Sequence, residues 1–123
     1  MAVAESHGIE SDLLPKIATG FCSGLARTGG PCGALNGGIL GLNLLTGRSE
    51  PGAPVDRNYA LVRALIDQFE GKFGSTHCTK LTGVDLGTAE GQAKFREKNQ
   101  IGNCLNYAEE VTRMVLSLAE SEK

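Results

Sequence analysis

Apolar residues recur along this chain with the period of a helix, and no stretch alternates with the two-residue period of a strand. Runs of Val, Ile, Thr and Tyr are absent as well. The sequence therefore predicts an all-α fold, a compact bundle of four main helices plus one or two short helices. At 123 residues it is expected to form a single helical domain, residues 1–123, with 1–10 frayed. Aromatic side chains are few, four Phe and two Tyr, so the core must be built from Leu, Ile, Val and Ala.

Start and stop signals place the helices. Ser11 or Asp12 can cap a first helix that tolerates Pro15 in its first turn and carries Leu14, Ile17, Ala18, Phe21, Cys22 and Leu25 at helical spacing. Thr28-Gly29-Gly30-Pro31 breaks it. A second helix is expected from Cys32, with Pro31 at its start, to about Leu45. After a loop over Ser49–Pro54, a third runs from Val55 or Asp56 to Phe73 with the stripe Tyr59, Val62, Ile66, Phe69 and Phe73, ended by Gly74. Ser75 or Thr76 can cap a short helix containing His77, Cys78 and Leu81. Thr88–Gln100 reads as an exposed helix. The last begins after Gly102, capped by Asn103, and runs to Glu120, with Cys104, Ala108, Val111, Val115 and Leu118 on one face.

The second helix carries Gly33, Gly37, Gly38 and Gly41 in its interior. Each glycine forgoes about 0.8–1 kcal/mol relative to Ala, roughly 3–4 kcal/mol together. Gly33, Gly37 and Gly41 fall on one face, where another helix can approach closely, either within the chain or across a homodimer. Cradling of a phosphate is not expected: no strand precedes these glycines, and neither GxGxxG nor GxxxxGK[ST] is present.

Charge and hydropathy exclude other classes. The formal charge is −2 and no Lys/Arg run forms a basic patch, so nucleic acid is not an expected partner. No basic segment followed by an apolar one marks a signal peptide, and the longest apolar run, Cys32 to Leu45, is shorter than the ~20 residues of a membrane span. No membrane association is expected, and the location is expected to be cytoplasmic. In a reducing compartment Cys22, Cys32, Cys78 and Cys104 read as thiols, metal ligands or transient redox partners rather than permanent disulfides.

The separations between successive cysteines are ten, forty-six and twenty-six positions. They match no CxxC, no zinc finger and no ferredoxin run, and CxxCH for covalent haem is absent. Placement says more. Cys32, Cys78 and Cys104 each fall in the first turn of an expected helix, where free N–H groups and the macrodipole favour a thiolate. Three such thiolates together suit a redox pair, an iron–sulfur cluster or another thiolate-bound metal. Cysteine is also a common core residue, and Cys104 continues an apolar stripe. Cys22 reads as core, or as a fourth ligand or resolving thiol. His77 can ligate a metal or simply face solvent. Arg27 can support a thiolate, and Asn36 can hydrogen-bond the Cys32 sulfur or a nearby carbonyl.

Cys32-Gly33-Ala34-Leu35-Asn36-Gly37 reads CGAxxG, with Gly20-Phe21 and Arg27-Thr28-Gly29 before it, Cys78 after a Phe-Gly-Ser turn and Cys104 opening the final helix. In this order the residues resemble the redox-active family called C-GCAxxG-C-C, over about Gly8 to Leu118. The resemblance implies that the family's second, third and fourth cysteines correspond to Cys32, Cys78 and Cys104. The family's first cysteine, on a helix upstream of the region matching Gly8 to Gly20, has no counterpart here, and Cys22 stands where the family has glycine. The implied site is therefore one of three cysteines, or one completed by Cys22, His77, a second subunit or an outside ligand.

Two functions follow as expectations. One is a cysteine-based redox or metal centre, with an iron–sulfur or other metal centre favoured slightly over a dithiol. It would be formed by Cys32, Cys78 and Cys104, with Arg27, Gly33, Asn36 and Gly37 lining it and a redox protein as partner. The other is a non-catalytic helical interaction module with core cysteines and a glycine face for docking. No nucleophile elbow and no HExxH is present to suggest a hydrolase.

Overall fold

The computed structural model describes residues 1–121, so positions 122 and 123 of the expected domain lie outside the described residues. In chain order the elements are α1 (Ala2–Ser6), α2 (Leu13–Ala18), a 3-10 turn (Thr19–Phe21), α3 (Cys22–Arg27), α4 (Gly33–Thr46), α5 (Asp56–Phe73), α6 (Cys78–Thr82), α7 (Ala89–Glu97) and α8 (Gln100–Ser121). Among the described residues there is no strand; an isolated antiparallel bridge joins Pro31 and His77. The fold is all-α.

Three long helices, α4, α5 and α8, pack on one another and enclose the core. α4 supplies Leu35 and Leu42, α5 supplies Leu61, Leu65 and Phe69, and α8 supplies Val111 and Val115. Leu42, Leu65, Phe69 and Val115 are wholly removed from water, each such burial contributing about 1.5–3 kcal/mol. On α5 the inward residues are Leu61, Leu65 and Phe69, four apart, so the expected stripe is rotated. Tyr59 is 58 % exposed, while Val62, Ile66 and Phe73 pack at the core's edge.

The glycines of α4 explain how closely these helices meet. A Cβ on Gly38 would fall inside van der Waals contact of Val111 Cγ1 and lie 3.1 Å from Leu65 Cδ2. Gly41 faces Val3 at 3.2 Å, and Gly33 faces the Cys22 Cα at 3.2 Å. Gly37 has nothing within 4 Å. The close approaches within the chain are therefore at Gly33, Gly38 and Gly41, each to a different neighbour. Gly37, expected on one face with Gly33 and Gly41, is open.

The N-terminus differs from expectation. Residues 1–10, expected to fray, contain α1, whose Val3 and Ala4 are buried because Gly41 leaves room for Val3. The first expected helix stops at Ala18. Ser11 does support its start, its Oγ accepting the Leu13 N–H at 3.2 Å. Its stripe has no core to bury against, however: Ile17 is 59 % exposed and Phe21 38 %.

Beyond the 3-10 turn, α3 is not a right-handed continuation. Ser23, Gly24, Leu25, Ala26 and Arg27 have φ of 55, 66, 58, 54 and 68°, a left-handed turn. This conformation costs about 1–2 kcal/mol at each non-glycine residue. Partly offsetting it, the Gly24 carbonyl accepts the Gly30 N–H at 3.0 Å and the Thr28 hydroxyl at 3.1 Å. At the other end of the chain, Asn99 takes φ 51°, which Asn tolerates. α8 therefore starts at Gln100 instead of after Gly102, and Asn103 lies inside the helix rather than capping it.

Candidate functional site

The site is assembled by two short lengths of extended chain. Pro31 and His77 form a bridge pair flanked by two hydrogen bonds: the Cys32 N–H donates to the Thr76 carbonyl at 2.7 Å, and the Cys78 N–H donates to the Gly30 carbonyl at 2.8 Å. Pro31 sits in the member of this pattern that needs no N–H, which is where proline is tolerated. It therefore precedes the helix cap rather than opening α4. Immediately after the bridge, Cys32 caps α4 and Cys78 opens α6.

Local hydrogen bonds fix both cysteines. The Cys32 carbonyl accepts the Asn36 N–H at 2.9 Å, starting α4. The Asn36 side chain, buried, donates to the Pro31 carbonyl at 3.3 Å and the Phe21 carbonyl at 3.4 Å, so it serves backbone rather than the Cys32 sulfur. The Thr82 hydroxyl donates to the Cys78 carbonyl at 2.8 Å. Gln100 Nε2 donates to the Thr82 carbonyl at 3.1 Å, tying the start of α8 to α6.

Gly24 and Gly33 have complementary roles here. A Cβ on Gly24 would lie 2.5 Å from Cys78 Cβ and 3.3 Å from its Sγ. The left-handed turn thus presses its backbone on Cys78, and Gly33 lets the Cys22 backbone settle against α4. The first glycine of CGAxxG, Gly33, therefore has a steric reason.

Cys22, Cys32, Cys78 and Cys104 all line one cavity of about 450 Å³, together with Arg27 and Tyr107. Cys32 and Cys78 are buried at 6 % and 8 % exposure, Cys104 is half-buried, and Cys22 is exposed. The expectation of Cys22 as a core residue is therefore corrected: its helix breaks there and turns it to the surface. All four are free thiols.

Electrostatics also corrects an expectation. Helix starts were expected to favour thiolates, yet burial pushes the Cys78 thiol above the ordinary value of 9.0, and the nearby Cys32 adds to this while the Thr82 hydrogen bond opposes it. Burial likewise raises Cys104, reinforced by Cys32 and then Cys78. Because α8 begins at Gln100, Cys104 sits in the second turn, away from the free N–H groups. Burial raises the Tyr107 phenol as well, followed by Cys104 and Cys32.

His77 is exposed, with its Nδ1 3.2 Å from the Thr76 hydroxyl, and does not line the cavity. Gly37 is not at the cavity either; it lines a separate groove beside α1 and α2. Gly33 does line the cavity. Among the described residues, no group of three or more His, Cys, Asp or Glu is placed to hold a metal ion. Tyr107 and Arg96 are among the lining residues that the sequence does not single out. The signal for Tyr107 was its position three residues after Cys104, on the same side of one helix.

Over residues 1–118 the chain matches the model of a family described as "Putative redox-active protein (C_GCAxxG_C_C)". The chain belongs to this family. No curated protein and no solved structure matches it. The match to the C_GCAxxG_C_C family takes in α1, whose residues Ala2–Ser6 include no cysteine. No described helix is long and apolar enough to cross a membrane.

Proposed function

We propose that this member of the C_GCAxxG_C_C family is a thiol–disulfide redox protein in which Cys32 and Cys78 are the reacting pair. The observation that supports this reading is the reciprocal pair of backbone hydrogen bonds, Cys32 to Thr76 and Cys78 to Gly30, between two segments whose buried cysteines line the same cavity. Residues diagonal across such a bridge lie about 7–8 Å apart. A disulfide needs Cα atoms about 4.4–6.8 Å apart. Oxidation on this account draws α6 toward α4 by about an ångström, a motion that the five-residue α6 can make.

The reaction is an exchange. The Cys32 sulfur, at the N-terminal end of the 14-residue α4, loses its proton and attacks one sulfur of a disulfide RSSR. This forms a Cys32–SR mixed disulfide and expels RS⁻, which takes up a proton. Cys78, once deprotonated, attacks the Cys32 sulfur, closes the Cys32–Cys78 disulfide and releases the second RS⁻. Two protein thiols give up two electrons and two protons, and one substrate disulfide becomes two RSH.

An iron–sulfur cluster or other thiolate-bound metal fits the residues less well. It requires several sulfurs converging on one centre, at about 2.3 Å for zinc. The described His, Cys, Asp and Glu residues make no group of three so placed.

The test equilibrates the full chain in thiol–disulfide buffers of graded potential and counts free thiols by alkylation. The expected result is one two-electron transition, lost in Cys32→Ser and Cys78→Ser and kept in Cys22→Ser. Thiols that oxidise independently, with no paired transition, would instead support the helical interaction module.

A further inference from the structure

The wall of the cysteine cavity carries charge of one sign. Arg27, from the left-handed turn, and Arg96, from α7, line it, and no Asp, Glu, Lys or His does. Neither guanidinium forms an ion pair within the described residues, where the bridges are Lys72–Glu110, Lys94–Glu90 and Arg113 with Glu109 and Glu110. The N-terminal end of α4 opens on the same wall through Cys32, Gly33 and Ala34, with no side chain capping its N–H groups. In a chain of net charge −2 this is a local concentration of positive potential. The remaining wall is largely apolar, with Leu81, Phe95 and Ile101 among its members. At about 450 Å³ the volume falls within the range of small-molecule pockets.

We propose, resting on the dithiol reading above, that the substrate is a low-molecular-weight disulfide bearing carboxylates, one arm of which enters this cavity with its carboxylates on Arg27 and Arg96. Guanidinium is the side chain suited to this task, since it meets a carboxylate with two parallel N–H donors. The anionic arm brings its sulfur to the wall formed by Cys32 and Cys78, where the balanced exchange already written takes place. A neutral disulfide reaches the same sulfurs without the charged contacts and reacts more slowly.

The experiment mixes the reduced full chain with oxidised glutathione or with uncharged 2-hydroxyethyl disulfide, and follows release of the small thiol. The readout is the ratio of the two rates. In the double variant R27Q/R96Q this ratio is expected to fall by about tenfold or more, the scale of losing charge-assisted hydrogen bonds. The variant R63Q, changed at an exposed arginine outside the cavity, keeps the native ratio. A double variant with the native ratio overturns the assignment of the arginines and of an anionic substrate, while the paired thiols stand. A native chain that reacts with neither disulfide overturns the dithiol reading and this inference with it. Should R27Q/R96Q fail to fold, R96Q and R27N are read singly, because Asn accepts the left-handed φ of 68° at this position. An unchanged ratio in both singles overturns the proposal equally.

Discussion

Cys32 and Cys78 each donate their backbone N–H across to the other's chain, Cys32 to Thr76 at 2.7 Å and Cys78 to Gly30 at 2.8 Å. Two residues 46 positions apart are thereby held as neighbours at the starts of two helices. Main chain sets this relationship, so side-chain changes at either cysteine leave it in place. Cys104 arrives by a different route, on α8, held near α6 by the Gln100–Thr82 hydrogen bond at 3.1 Å.

Gly38 and Gly37 are adjacent but should respond oppositely to a methyl group. Gly38→Ala drives a Cβ into Val111 and Leu65, and overpacking of this kind costs about 1–3 kcal/mol. Gly37→Ala meets nothing within 4 Å and gains helix propensity of up to about 1 kcal/mol. Urea denaturation of the two variants checks this; equal midpoints would refute the packing account of α4.

Gly24→Ala should damage the site as well as the fold. The new Cβ would meet Cys78 Cβ at 2.5 Å, so the left-handed turn must lift away. The expected outcome is a loss on the order of 1–3 kcal/mol together with faster alkylation of Cys78. Unchanged alkylation would mean that the turn does not shield this thiol.

The raised thiols give the protein a defined pH dependence. Folding binds the Cys78 and Cys104 protons more tightly than the unfolded chain does. Their contribution to stability is therefore fully present below the ordinary thiol value of 9.0, and is lost as pH rises through the raised folded values. Tyr107, raised from 10.0, extends the same trend. Over the same range, closure of the mixed disulfide by Cys78 should accelerate, because only its thiolate attacks. Denaturation midpoints and single-turnover rates measured above pH 9 should thus move in opposite directions.

On the dithiol account, anaerobic purification followed by metal analysis should give a colourless protein with four titratable thiols, matching the four free cysteines. Visible absorption from thiolate-to-iron charge transfer, with stoichiometric iron, would transfer the assignment to a cluster.

Much of this was legible in the sequence where local chemistry decides. The spans of α4 and α5 follow from Gly47, Asp56 and Gly74, and Thr88 caps α7 by accepting the Gly91 N–H, whereas the cap of α6 is His77 instead of Ser75 or Thr76. Cys32, Cys78 and Cys104 were identifiable and do line one cavity. What could not be read depends on tertiary contact. The left-handed turn of Ser23–Arg27 contradicts the propensity of Leu25 and Ala26, and exists against Cys78 and Gly30. The burial of α1 depends on the gap at Gly41, and the rise in the thiol pKa values depends on burial that a helix-start argument does not contain. Asn99 moved the start of α8 by one backbone torsion, and with it the place of Cys104 in its helix.

The most direct test of the central claim is to oxidise the full chain with one equivalent of a disulfide, digest it, and map its cross-links by mass spectrometry. The account predicts a reversible link between Cys32 and Cys78, with Cys22 and Cys104 recovered as thiols. Cross-links confined to other pairs, or four thiols recovered free, would contradict it.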